Sequence, residues 1–132
     1  MSNKPLKESL LRNALRDVNR FPEGRIGFIE PANGSDVGLP DCLVAIGDRW
    51  KPLELKRGNS VIKELRPTQR LWHRTSLSFG IRTHGLVLRS DYSVILFEIK
   101  LSGGFSSELS EAIVCEFELD FIDYAVLSLA MD

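Results

Sequence analysis

The hydrophobic patterning predicts an α/β domain. Two amphipathic runs read as helices, and several short β-rich runs between and after them read as strands. The first helix spans Pro5 to about Phe21, with Leu6, Leu10, Leu11, Ala14, Leu15 and Val18 at helical spacing and Pro5 in the first turn. Its polar side carries Lys7, Arg12, Arg16 and Arg20. Arg25 to Glu30 reads as a short strand, and the Gly/Asn/Ser-rich stretch from Pro31 to Pro40 as a loop. Asp41–Ile46 and Trp50–Lys56 are β-rich runs about Gly47-Asp48, a pair suited to a tight hairpin turn. Lys56 to Leu65 is expected to be a polar, basic connection. Pro67 opens a second helix to about Phe79, with Leu71, Trp72, Thr75, Ser78 and Phe79 able to face a core and Gly80 as its stop. Gly85–Arg89 and Tyr92–Lys100 read as strands, the second apolar on both faces. At the end, Ile113, Cys115, Phe117, Leu119 and Phe121 alternate with Val114, Glu116, Glu118 and Asp120, as on an edge strand with an acidic outer face. A helix from about Asp120 to Met131 fits the same region.

Size and composition are those of one soluble domain over residues 1–132, with 43% hydrophobic and 27% charged residues. No apolar run is long enough to span a membrane, and Met1-Ser2-Asn3-Lys4 lacks the apolar core of a signal peptide. Cys42 and Cys115 lie in apolar segments without metal-ligand spacing, so buried free thiols and a reducing cytoplasm are expected. The net charge of −1 hides an asymmetry. All 17 Lys and Arg lie at or before Lys100, leaving residues 1–100 at +6, while residues 101–132 hold seven acids and no base. The reading is a basic body (1–100) with an acidic extension (101–132) packed on it. A basic body suits a phosphate-rich partner.

The hairpin carries the chemistry. If Gly47 and Asp48 are the only loop residues, Ile46 pairs with Arg49 and Asp41 falls opposite Glu54. Cross-strand partners share a face about 5 Å apart. Lys56, two residues on, shares it as well. A loop two residues longer would set Asp41 against Lys56 instead. Cys42, Val44, Ile46, Leu53 and Leu55 occupy the other face as core. Two carboxylates and an ammonium on an otherwise apolar hairpin need compensation, because unpaired buried charge is expensive. A hard divalent cation supplies it: Mg²⁺ prefers carboxylate oxygens, keeps several waters and accepts phosphate oxygens from a substrate.

The flanking residues extend the pattern. Gly38-Leu39-Pro40-Asp41, Pro52-Leu53-Glu54-Leu55-Lys56, Arg66-Pro67-Thr68-Gln69-Arg70-Leu71-Trp72-His73, Gly80 and Gly85 to Arg89 follow in order. This succession resembles the PD-(D/E)-x-K nuclease superfamily, especially its VRR-NUC and Holliday-junction-resolvase-like branch, from about Glu8 to Arg89. The resemblance implies a restriction-endonuclease-like core of order αβββαβ, with a central mixed sheet flanked by helices. It also implies Asp41, Glu54, Lys56 and Gln69 as the catalytic set. Asp41, Glu54, the Leu55 carbonyl and a first-helix glutamate would hold Mg²⁺, with Mn²⁺ as substitute. Glu8 is the candidate for that glutamate, with Glu23 and Glu30 as competitors.

Arg57, Lys63, Arg66 and Arg70 cluster after the lysine and are the expected DNA-backbone contacts. Ser35 is assigned a turn role, His73 a surface position on the Gln69 side of its helix, and His84 a structural one. Trp50 and Trp72 are assigned to core packing rather than base stacking. The expected protein is a Mg²⁺-dependent endodeoxyribonuclease acting on branched DNA, such as a Holliday junction. Flap, nick or single-strand processing would use the same site, and a non-catalytic DNA-binding module would keep only the fold. A homodimer is expected from the two symmetric cuts a junction needs, with Val94–Phe97 and the C-terminal segment as contact surfaces.

Overall fold

The computed structural model describes residues 9–19, 27–29, 38–46, 49–102, 108–122 and 131. The chain runs α1 (Ser9–Asn19), β1 (Gly27–Ile29), β2 (Cys42–Ile46), β3 (Arg49–Arg57), α2 (Val61–Glu64), α3 (Pro67–Ser78), β4 (Thr83–Leu88), β5 (Ser93–Leu101) and β6 (Leu109–Glu118), then a short 3₁₀ turn at Leu119–Phe121. This is an α/β architecture. Its six strands form one mixed sheet in sequential order. Every neighbouring pair is antiparallel except β3 and β4, which run parallel. A parallel pair cannot be joined by a hairpin, so the chain must cross over between them. The crossover contains α2 and α3.

Alternation along the strands divides the interior in two. Leu53 and Leu55 of β3 join Cys42, Val44, Leu86, Leu88, Val94 and Leu96 beneath Leu11 and Leu15 of α1. Val87, Ile95, Phe97 and Ile99 meet Val61 and Leu65, at the two ends of α2, on the other face. Strand β5 is therefore buried from both sides, which explains its nearly unbroken apolar sequence. Gly85 belongs to the second face. A Cβ there would lie 2.4 Å from Val61 Cγ2, so only glycine lets α2 settle onto the sheet.

Several expectations need correction. The Lys56–Leu65 connection holds a helical turn, α2, because Val61 and Leu65 have apolar surface to bury and Ser60 caps the turn by accepting from the Lys63 N–H. Along α3, Leu71 and Phe79 do not face the core: they are 59% and 79% exposed, while Gln69, His73 and Ser76 are buried. Trp50 is about half exposed, at the outer end of β3. Ile113 is exposed rather than inward-facing. The register slips between Leu96 and Phe97, which pair with Cys115 and Ile113, so β6 carries a bulge at Val114 that moves Ile113 to the opposite face from Cys115 and Phe117. Val94–Phe97 is buried and offers no subunit contact surface.

The acidic extension is part of the fold. Strand β6 pairs along the length of β5, and Cys115, Phe117 and Leu119 pack against the α1-side core, which also contains Ile122 and Met131. The Lys51 ammonium donates to the Met131 carbonyl. Residues 123–130, where most of a C-terminal helix would fall, lie outside the described residues. Both cysteines are free, Cys42 buried and Cys115 partly so. No helix among the described residues is long and apolar enough to cross a membrane.

Removing residues 108–132 is therefore expected to uncover one edge of β5 and empty part of the core. The truncated chain should aggregate or lose its cooperative thermal transition, and Phe117→Asp should destabilise by about 2 kcal/mol or more. A soluble, monodisperse truncation with a sharp melt would contradict this packing.

Candidate active site

The hairpin register places the central pair. Ile46 faces Arg49 and Cys42 faces Leu53, as a two-residue loop requires, so Asp41 falls opposite Glu54. The longer-loop alternative is excluded. Asp41 sits just before β2, where β3 runs on without an antiparallel neighbour. There its Oδ2 accepts the Leu55 N–H at 2.8 Å, filling a backbone donor that β2 no longer reaches. Its Oδ1 lies 3.3 Å from Arg12 Nη2 on α1. The sequence shows Arg12 only as part of the polar side of its helix; its pairing with Asp41 depends on how α1 packs, which local pattern does not show.

Glu54 is fully buried, on the sheet face covered by α3. Its Oε1 is 2.7 Å from His73 Nε2, and its Oε2 accepts from Gln69 Nε2 at 3.4 Å. Lys56, buried on the same face, donates to Gln69 Oε1 at 3.0 Å. That oxygen also accepts the Arg66 N–H at 3.1 Å, tying the first turn of α3 to the site. A backbone N–H can only donate, so the Gln69 oxygen must face Arg66 and Lys56, and its NH₂ must face Glu54. One amide thus links the buried carboxyl to the buried ammonium.

These bonds explain the orientation of α3. Gln69, His73 and Ser76 recur at i, i+4 and i+7, which is one helix face, and it turns toward the sheet. A polar stripe is buried while Leu71 and Phe79 are left outside, because Glu54 offers that stripe partners no apolar face could use. His73 is consequently not a surface histidine. Its spacing from Gln69 was the available signal, and apolar counting pointed to the wrong face.

Gly38 locks the approach loop to the same helix. Its backbone is left-handed at φ +77°, and a Cβ would lie 2.2 Å from the Thr68 carbonyl oxygen. Only glycine meets both demands. The loop carrying Asp41 therefore rests directly on the Thr68–Gln69 backbone.

The electrostatics follow from burial. The Glu54 carboxyl is pushed up to about 9, first by desolvation and then by the neighbouring Asp41, against a smaller opposing pull from Lys56. His73 is lowered to about 4 by burial, with Lys56 adding to the effect, so its ring is neutral at pH 7. Without a cation, the Glu54 carboxyl retains its proton at neutral pH. Burial is what holds that proton, since Lys56 and Arg12 already balance the two carboxylates. A divalent cation would meet the charge that the proton now meets, so two carboxylates beside the Leu55 backbone fit a hard ion that keeps most of its waters. Among the described residues, no three His, Cys, Asp or Glu side chains gather into a fuller cage.

The remaining site residues divide. Arg57, at the end of β3, and Lys63 and Arg66, in and just after α2, are exposed. Arg70 donates through Nη2 to the Ile62 carbonyl and through Nε to Leu65, so it holds the end of α2. Glu8, its competitors Glu23 and Glu30, and Ser35 lie outside the described residues. His84 is buried in β4, neither ring nitrogen has a hydrogen-bond partner among the described residues, and burial lowers it to about 4. No known protein family, curated protein or solved structure matches the chain.

The shifts predict a pH profile for the metal-free protein. Glu54 binds its proton more tightly folded than unfolded, so its contribution is complete below about 4.5 and is lost as pH rises towards 9. His73 and His84 bind protons less tightly folded, so their contribution appears as pH rises from about 4 to 6.5. Above 6.5 only Glu54 among these three still titrates. Thermal melts should therefore show stability falling between pH 6.5 and 9, and Glu54→Gln should flatten that limb. A limb equally steep in the variant would contradict the assignment.

Proposed function

We propose that this protein is a Mg²⁺-dependent endodeoxyribonuclease that hydrolyses phosphodiester bonds in branched DNA. The observation that carries the reading is the placement of Asp41 opposite Glu54, with Lys56 on the same face and joined to Glu54 through the Gln69 amide. The order of helix, three strands, crossover helices and strand agrees with a restriction-endonuclease-like core, and the motif residues meet at one place in it.

Asp41, Glu54 and the Leu55 carbonyl would hold the cation, which when bound supplies positive charge to a phosphate oxygen and makes water more acidic. The chain's own residues do the rest. Lys56 is buried and steered by Gln69, so its ammonium is aimed rather than free to wander. It is placed to orient the attacking water or meet the charge that grows on the phosphate. Gln69 holds Lys56 and Glu54 at a fixed separation. Arg57, Lys63 and Arg66 provide exposed cations beside the site for the DNA backbone, while Arg70 supports α2 and reaches DNA only secondarily. The products would be a 5′-phosphate and a 3′-hydroxyl.

Exposed cations such as Arg57, Lys63 and Arg66 would meet the DNA backbone rather than base edges, and backbone contacts carry shape rather than sequence, which favours branch points. Two symmetric cuts would require two copies. Since Val94–Phe97 is buried, the contact would have to form elsewhere on the surface.

Asp41→Asn and Glu54→Gln should each abolish cleavage while leaving DNA binding intact, because each removes a cation ligand without removing a contact to the DNA backbone. Lys56→Ala should lose at least about a hundredfold in turnover, as removal of an electrostatic stabiliser does, yet still bind Mg²⁺. Cleavage assays with gel-shift binding on the same DNA check both. Full activity in either carboxylate variant contradicts the proposal.

A further inference from the structure

Glu54 has two carboxylate oxygens, and its neighbours treat them unequally. His73 Nε2 lies 2.7 Å from Oε1, whereas the Gln69 amide stands 3.4 Å from Oε2. Both His73 and Glu54 are completely buried, so no solvent competes for the short bond. His73 Nδ1 has no hydrogen-bond partner among the described residues. That asymmetry decides the tautomer. A proton on Nδ1 would bury an N–H donor with nothing to receive it, whereas a proton on Nε2 leaves only an unfilled lone pair. Orphaned buried donors are the rarer of the two. His73 therefore donates from Nε2 to Oε1. Trp72, edge-on to the imidazole at 5.0 Å and 82°, packs beside the ring.

With Oε1 held by the short His73 bond and Oε2 met only by the long Gln69 contact, Oε2 is the oxygen open to a cation. A carboxylate gripping an ion through both oxygens would have to share or give up the His73 bond. Mg²⁺ takes single oxygens in a strict octahedron, whereas Ca²⁺ accepts six to eight oxygens and often takes a carboxylate through both. The geometry points to His73 as a positioning residue that keeps Glu54 a one-oxygen ligand and so biases the site towards Mg²⁺ over Ca²⁺. This rests on the divalent-cation reading above.

Calorimetric titration of the full chain with Mg²⁺ and separately with Ca²⁺ tests it, in the wild type, His73→Leu and His73→Gln. Leucine keeps apolar volume but has no donor, while glutamine retains an N–H to offer. The Ca²⁺-to-Mg²⁺ affinity ratio should rise about tenfold in His73→Leu, the size of effect seen when a ligand's hydrogen-bond partner is removed. In His73→Gln it should stay close to the wild-type ratio. An unchanged ratio in a folded His73→Leu overturns the inference. So does equal weakening of both ions, which would mark His73 as merely structural. A wild type that binds neither ion overturns the cation reading itself, and this inference with it. If His73→Leu gives no thermal transition, infrared spectra of the unmutated protein decide, using Glu54→Gln to identify the Glu54 bands. A wide separation of the two carboxylate stretches on Mg²⁺ supports a one-oxygen ligand, and the narrow separation of a two-oxygen ligand overturns it.

Discussion

A carboxyl group with no access to water is the constraint around which the rest of this molecule is arranged. Glu54 lies in the middle of β3, beneath α3 and beside the Asp41 carboxylate. Charge in such a place must be neutralised or hydrogen-bonded, or the group takes up a proton. The fold meets this demand with His73 and Gln69 from one helix, Lys56 from the same strand, and the retained proton. Removing one of these partners leaves the others buried and unsatisfied, so the network behaves as a unit.

That demand reaches outward into the architecture. It turns the polar stripe of α3 inward and leaves Leu71 and Phe79 in solvent. It makes Gln69 serve two purposes, bonding the Arg66 N–H at the start of the helix and the Lys56 ammonium in the site. Gly38 brings the Asp41 loop against the Thr68–Gln69 backbone, and Gly85 lets Val61 of α2 sit close against the sheet. Glu111, from the acidic strand β6, accepts the Val61 and Ile62 N–H groups at 2.9 and 3.2 Å, so the C-terminal extension also helps to seat the crossover beside the site. The two oppositely charged parts of the chain are one folded unit.

The legibility of these features in the sequence follows their range. The hairpin register was readable because Gly47-Asp48 leaves few ways to connect β2 and β3, and alternation then places Asp41, Glu54 and Lys56 together. The start of α3 at Pro67 and its stop at Gly80 were local signals too. The orientation of α3 was not readable, because apolar counting assumes the core is apolar everywhere, and here the surface that receives the helix is a buried glutamate. Ile113 was misplaced because a bulge depends on the partner strand, which its own alternation does not record. The turn α2 was missed because four helical residues are too few to show a period. Arg12 met Asp41 across 29 residues of chain, a contact only tertiary packing creates.

The central claim is that this polar network cuts DNA with a divalent cation. The most direct measurement offers the purified protein a four-way junction, a flap, a linear duplex and a single strand side by side, with Mg²⁺ and with a chelator. The account predicts Mg²⁺-dependent strand cleavage, strongest on the four-way junction and absent with the chelator. No cleavage of any of the four DNAs in Mg²⁺ or Mn²⁺, by protein shown to be folded, would contradict it.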